Sequence, residues 1–231
     1  MRATNKNNIS PHDASRRESL LNAPILNGGL TAESLSCIRD THVLFEDLSF
    51  SVDRGEILVI EGRNGCGKTS LLRILSGIRQ QDEGTVSWGD RDISKLGASY
   101  REDMAYLGHL DGIKHELSAV ENLELVSIYG KVSEGSIDDA LETIGLTEKA
   151  ELKAANLSAG QKRRLALARL LLTDCRLWLL DEPLTALDKA GIALFEQLVK
   201  QHVAAGGLVV LSSHHDLDLA NTNMKRINLS A

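Results

Sequence analysis

The stretch GRNGCGKT at residues 62–69 lies between an apolar run, GEILVIEG at 55–62, and a helix-patterned segment, KTSLLRILSGI at 68–78. It fits GxxxxGK[ST], the pattern of a phosphate-binding loop in its required strand-to-helix setting. The glycines allow a tight turn whose backbone N–H groups converge, and the helix start adds positive potential at the same point. A nucleotide-phosphate cradle is therefore expected from Gly62, Arg63, Asn64, Gly65, Cys66, Gly67, Lys68, Thr69 and Ser70. Lys68 is suited to reach the β and γ phosphates, and the Thr69 hydroxyl to ligate Mg²⁺. After the loop, Leu71, Leu72, Leu75 and Ile78 share one helical face and are expected in the core.

Outward from this loop, the chain has 231 residues, 42% hydrophobic and 25% charged, which suits one substantial domain. No apolar run approaches the roughly 18 residues of a membrane span, so a membrane role would pass through a partner. Three cysteines, Cys37, Cys66 and Cys175, do not make a disulfide framework and favour a reducing compartment. The net charge of −6 weighs against a nucleic-acid surface, although KRR at 162–164 reads as a local basic patch. Residues 1–29 are polar, hold two of the three prolines and show little periodicity, which predicts a disordered extension before a folded domain at 30–231.

Within that domain, HVLFEDLSFSV at 42–52 alternates like half-buried strands, and GEILVIEG suits a buried parallel strand. Ser118 with Glu121 forms a capping-box pattern, and Ser136 with Asp139 a looser one, so 118–173 reads as mainly helical. A strand at RLWLLDEP, a helix at KAGIALFEQLVKQHVAA, a strand at LVVLSSHH and a terminal strand near KRINLS follow. Strand alternating with helix predicts an α/β fold with a mainly parallel sheet, an antiparallel N-terminal β region and a helical insertion at about 110–160.

RLWLLDEP at 176–183 ends an apolar strand in two carboxylates, at the sheet edge that faces the phosphates. Asp181 is suited to hold Mg²⁺, mainly through water, and Glu182 to orient and polarise an attacking water. LSAGQKRR at 157–164 alone would be a helix N-cap. Together with the loop at 62–69, the acidic strand, TALD at 185–188 and a histidine after VVLSS, it resembles the ABC ATPases. That resemblance spans about 31–229 and implies ATP and Mg²⁺ as ligands, with Lys68, Glu182 and His214 as the catalytic set and His215 as the alternative to His214. It also implies a second copy, with Ser158 and Gly160 of one chain closing on the γ-phosphate bound by the other, and it adds Gln161 and Asp188 to the nucleotide-binding residues.

YLGHLDGIKHELSAVENL at 106–123, with NGCGKTSLLRILSGI and LSAGQKRRLALARLLL, is similar to the ATP-binding subunit of the heme exporter of cytochrome c maturation, the CcmA family. This implies a subunit on the cytoplasmic face of the bacterial inner membrane, docked on integral partners (CcmB and CcmC) and driving release of heme-loaded chaperone. The ATPase of an exporter for another substrate is the alternative. Where the family carries glutamine, this chain offers His109 or Leu110 according to alignment, and His109 is the one able to make a polar contact. Where ABC domains stack an aromatic ring on adenine, LSCIRDTH at 35–42 has none and places Cys37 or Arg39 nearby.

Overall fold

The computed structural model describes residues 29–129, 136–214 and 217–230. Strands β1 (Leu30–Arg39) and β2 (His42–Val52) form a hairpin registered from Leu30↔Val52 to Arg39↔His42. β3 (Glu56–Glu61) leads through the phosphate loop into helix α1 (Lys68–Leu75). β4 (Glu83–Trp88) and β5 (Arg91–Asp92) complete a four-stranded antiparallel sheet in the order β2-β1-β4-β5. After β6 (Met104–Leu107) come helices α2 (Ala119–Tyr129), α3 (Ile137–Thr143) and α4 (Ala159–Leu171). The chain then runs through β7 (Leu177–Asp181), α5 (Lys189–Ala204), β8 (Leu208–Ser212) and β9 (Asn223–Asn228). β6-β7-β8-β3-β9 is a second sheet, parallel throughout.

The expected fold class is what forms: a parallel sheet with crossover helices, preceded by antiparallel strands. Both faces of the parallel sheet are covered, which is why β3, β7 and β8 are continuously apolar rather than alternating. On one face Leu58, Ile60, Leu179 and Val210 pack with Leu71, Leu72 and Leu75 of α1, and the antiparallel sheet closes over α1 with Leu30, Leu35 and Val86. On the other face Ile57, Val59, Trp178 and Val209 meet Leu167 and Leu170 of α4 and Phe195 and Val199 of α5. α4 turns Leu165 and Ala168, with Leu172 just past its end, to Leu123, Leu141 and Ile144 of the helical region. It is thus the hinge pin between sheet and helices, buried on both sides.

One core expectation fails. α1 stops at Leu75, and Ile78 is 65% exposed. Gly77, at φ +70°, bonds its N–H to Ile74 and the Ile78 N–H bonds to the Arg73 carbonyl, which together make a Schellman cap that turns the chain away before Ile78 can reach the apolar face. The capping expectations hold. Ser118 and Glu121 bond reciprocally, and Ser136 accepts from the Asp139 N–H. Of the expected N-terminal extension, residues 1–28 lie outside the described residues, and Gly29 is already buried, its carbonyl bound by the Gly89 N–H.

Candidate functional site

The parallel sheet brings the ends of β3, β7 and β8 side by side, with Ile60 opposite Ser212 and Asp181 opposite Ser212 in register. The phosphate loop leaves β3 there. Its glycines Gly62, Gly65 and Gly67 all have positive φ, and at Gly67 a Cβ would press on Leu44 and Phe45 at 3.1 and 3.2 Å. Lys68 curls back so that Nζ donates to the carbonyls of Gly62 at 2.8 Å and Arg63 at 3.3 Å, and meets His214 Nε2 at 2.9 Å. A lysine only donates, so His214 accepts through Nε2 in this contact. Glu182 Oε1 lies 3.3 Å from that nitrogen and 4.0 Å from Lys68 Nζ.

The Thr69 hydroxyl donates to Asp181 Oδ2 at 2.8 Å, while the Ser212 hydroxyl donates to Asp181 Oδ1 at 2.8 Å. Two hard oxygens, one of them anionic, thus sit together at the start of α1, and both hydroxyls can rotate away from the carboxylate. This donor set suits Mg²⁺ completed by phosphate and water. A cavity of about 470 Å³ joins these groups: Asn64, Gly65, Gly67, Lys68, Thr69 and Ser70 line it with Asp181, Glu182, Arg39, Leu44, Arg73 and His109. Gly62 and Arg63 instead face the adjoining cleft with Ser213 and His214. Cys66 lies behind the loop, its sulfur against Gly62.

Of the two alternatives near the base position, Cys37 is fully buried, and that burial raises its thiol pKa. Arg39 is the one on the cavity wall. Of the two glutamine-position alternatives, His109 lines the cavity and Leu110 is 84% exposed. His214 follows the end of β8 rather than lying on it, and His215 lies outside the described residues.

Four expected site residues are not gathered here. Ser158 caps α4, with Gln161 closing a capping box at 3.0 and 3.2 Å. Gly160 approaches the Ala186 carbonyl so closely that a Cβ would stand 2.8 Å from it. Asp188 caps α5 through the Gly191 N–H and pairs with Arg164. That N–H first, and Arg164 next, hold its carboxyl below the usual carboxylate range. Ser158, Gly160, Gln161 and Asp188 are at least partly exposed, and none of them lines the phosphate cavity.

Residues 45–185 match the family described as ABC transporter. The chain is also 48% identical over 203 residues to the cytochrome c biogenesis ATP-binding export protein CcmA of Nitrosomonas europaea, covering 87% of this chain and 95% of that one. The chain belongs to the ABC transporter family, in its CcmA group. The CcmA proteins of Yersinia pestis and Aliivibrio fischeri are 48% and 45% identical to it, over 93% and 98% of their lengths. Among solved structures, the ATP-binding subunit of an ABC transporter superposes with a TM-score of 0.72 at 25% identity, covering 80% of this chain and 79% of that one. A nucleotide-free ATP-binding cassette shares the fold at TM-score 0.72 and 21% identity, over 87% of this chain and 88% of that one.

Against this ABC frame, the residues that sequence reading missed are the ones that hold Asp181 and Glu182 in place. Ser212 binds Asp181 through its hydroxyl and accepts the Glu182 N–H at 2.9 Å. Arg163, read from sequence as part of a basic patch, is 2% exposed and bonded to the backbone of the acidic strand. The KRR patch is thereby corrected: one arginine is inside the protein and the next, Arg164, pairs with Asp188. Ser212 carried one usable signal, its place at the end of a parallel strand beside the Asp181 strand. Arg163 carried none.

Proposed function

We propose that this chain is the ATP-hydrolysing subunit of a membrane export complex of cytochrome c biogenesis, working on the cytoplasmic face of the bacterial inner membrane. The observation that carries the reading is the convergence of Lys68, Thr69, Asp181, Glu182 and His214 at one sheet edge, in a chain 48% identical to CcmA relatives over nearly their whole length. Among the described residues no helix is long and apolar enough to cross a membrane, so partners supply the span.

Each residue then has a part. The loop N–H groups and Lys68 bind the β and γ phosphates, with Lys68 exchanging its carbonyl and His214 contacts for phosphate oxygens. Thr69 and Asp181 would hold Mg²⁺, which supplies charge neutralisation at the phosphates when bound. Glu182 accepts the proton of the attacking water, and His214 fixes the position of both water and γ-phosphate. Arg39 and Leu44 form the wall for the adenine, by cation–π and apolar contact in place of an aromatic ring. His109, on the cavity wall, would supply the polar contact to the water shell of a bound Mg²⁺. Ser158, Gly160, Gln161 and Asp188 serve a second copy's nucleotide, since they are exposed or partly exposed and line no part of this chain's own cavity.

A groove of about 490 Å³ between β6 and α2, walled by Tyr106, Leu107, Asn122, Leu125 and Arg169, suits docking of the membrane partners. Heme is the cargo that the sequence resemblance implies. The test is a strain lacking the chain, complemented with wild type or with Lys68→Ala. Holocytochrome c should return with the first and not the second. Normal holocytochrome c in the uncomplemented strain would assign the chain to a different exporter.

A further inference from the structure

The side chain of Arg163 offers five N–H donors, and all five are used. Nε donates to the Pro183 carbonyl at 3.0 Å, and Nη2 donates to the carbonyls of Asp181 at 3.1 Å and Glu182 at 2.7 Å. Nη1 points the other way, to the Gly108 carbonyl at 3.2 Å and Asp111 Oδ1 at 2.7 Å. One planar group therefore bridges the turn that bears the hydrolytic carboxylate and the loop that follows β6. Asp111 is its anionic partner.

Both ends of the bridge are mechanically informative. Glu182 sits at φ +48°, left-handed backbone that a non-glycine residue keeps only where its neighbours hold it there. Its N–H is held by Ser212 Oγ and its carbonyl by Arg163, so the direction of its carboxylate depends on those two bonds. At the other end, residues 108–111 carry His109 on the nucleotide cavity and Leu110 in solvent. A guanidinium can span the two segments because its donors diverge in a rigid fork. A lysine ammonium, with three donors at one point, cannot.

We propose that Arg163 is a positioning residue: it ties the loop at 108–111 to the Glu182 turn, so that the seating of the loop by a docked partner sets the geometry for hydrolysis. This rests on the reading of the chain as an ATPase docked on membrane partners. Burial of an arginine for stability alone would be a poor solution, because buried ion pairs repay their desolvation only with difficulty. Here the bridge joins the loop at 108–111 to the turn at 181–183, segments at least 70 positions apart in sequence (181 − 111).

The experiment measures kcat and KM for MgATP in the complex purified from membranes, with thermal midpoints for every variant. Asp111 is partly exposed and lines no part of the nucleotide cavity, so Asp111→Ala should fold normally. It should lose about tenfold in kcat with KM held within about twofold. Asp111→Asn retains an acceptor oxygen and should recover most of the rate. Arg163→Lys should lose about as much as Asp111→Ala, and the double variant no more than the larger single loss, because both cut one connection. Wild-type kcat in Asp111→Ala, or losses that multiply in the double variant, would overturn the proposal. A wild-type complex that hydrolyses no MgATP would instead overturn the ATPase reading beneath it.

Discussion

Replacing Glu182 by glutamine keeps the side chain's shape and changes one property, its capacity to take a proton. The backbone bonds that fix the residue, from its N–H to Ser212 and from Arg163 to its carbonyl, do not involve the carboxylate and survive. What is lost in the resting protein is attraction to Lys68 at 4.0 Å, because His214 Nε2, 3.3 Å away, already accepts from Lys68 and offers the carboxylate no proton. Neither contact has hydrogen-bond geometry through the carboxylate, and the residue keeps some solvent, so the change in folding stability should stay within about 1 kcal/mol. Loss of a general base costs about 10² to 10⁴ in rate, or about 2.7 to 5.4 kcal/mol in barrier. The kinetic effect exceeds the stability effect, and the two are separable. MgATP affinity, read by fluorescent-nucleotide displacement, should be near that of wild type, and an ATP-stabilised dimer should appear on size exclusion while steady-state turnover falls at least about a hundredfold. Turnover within about threefold of wild type, in a variant with an unchanged melting midpoint, would remove Glu182 from the chemistry.

His109→Ala should lose about ten- to a hundredfold of ATPase activity in the membrane complex, and Leu110→Gln should keep or raise it; full activity in the alanine variant would show that the domain works without that polar contact. Gly160→Ala places a Cβ 2.8 Å from the Ala186 carbonyl, so calorimetry should show about 1 to 3 kcal/mol of destabilisation despite alanine's better helix propensity. An unchanged melting midpoint would mean that the start of α4 and the loop at Ala186 separate freely. Glu56 links β9 to β3 by accepting from the Asp53 N–H, Asn223 and Lys225 at 2.8, 2.7 and 2.6 Å. Burial works to raise its pKa, but these three partners outweigh it and hold the carboxyl below its ordinary 4.5. Its stabilising contribution is therefore present above pH 4.5 and lost as pH falls through the lower folded value. Urea melts of Glu56→Gln should show lower stability at neutral pH and a shallower decline in that acid window; parallel pH profiles for mutant and wild type would exclude the link.

Sequence alone determined the phosphate loop, the acidic strand end, the α4 cap and the α/β class, because each is written in contiguous residues whose spacing is also their geometry. GRNGCGKT can only be a turn of that shape between a strand and a helix, and Ser158 and Gln161 cap α4 across three positions. Ile78 shows the limit even at short range: the apolar spacing continued while Gly77 had already turned the chain. His109 and Leu110 could not be separated by alignment, since one residue of slip exchanges them. The path of the loop, held at Gly108 and Asp111, puts the first on the cavity and the second in water. The same limit made Arg163 look like surface charge. Its burial follows from acceptors about 20 and 50 positions away that the sheet and α4 bring to one point, and no local pattern encodes a partner that only long-range packing supplies.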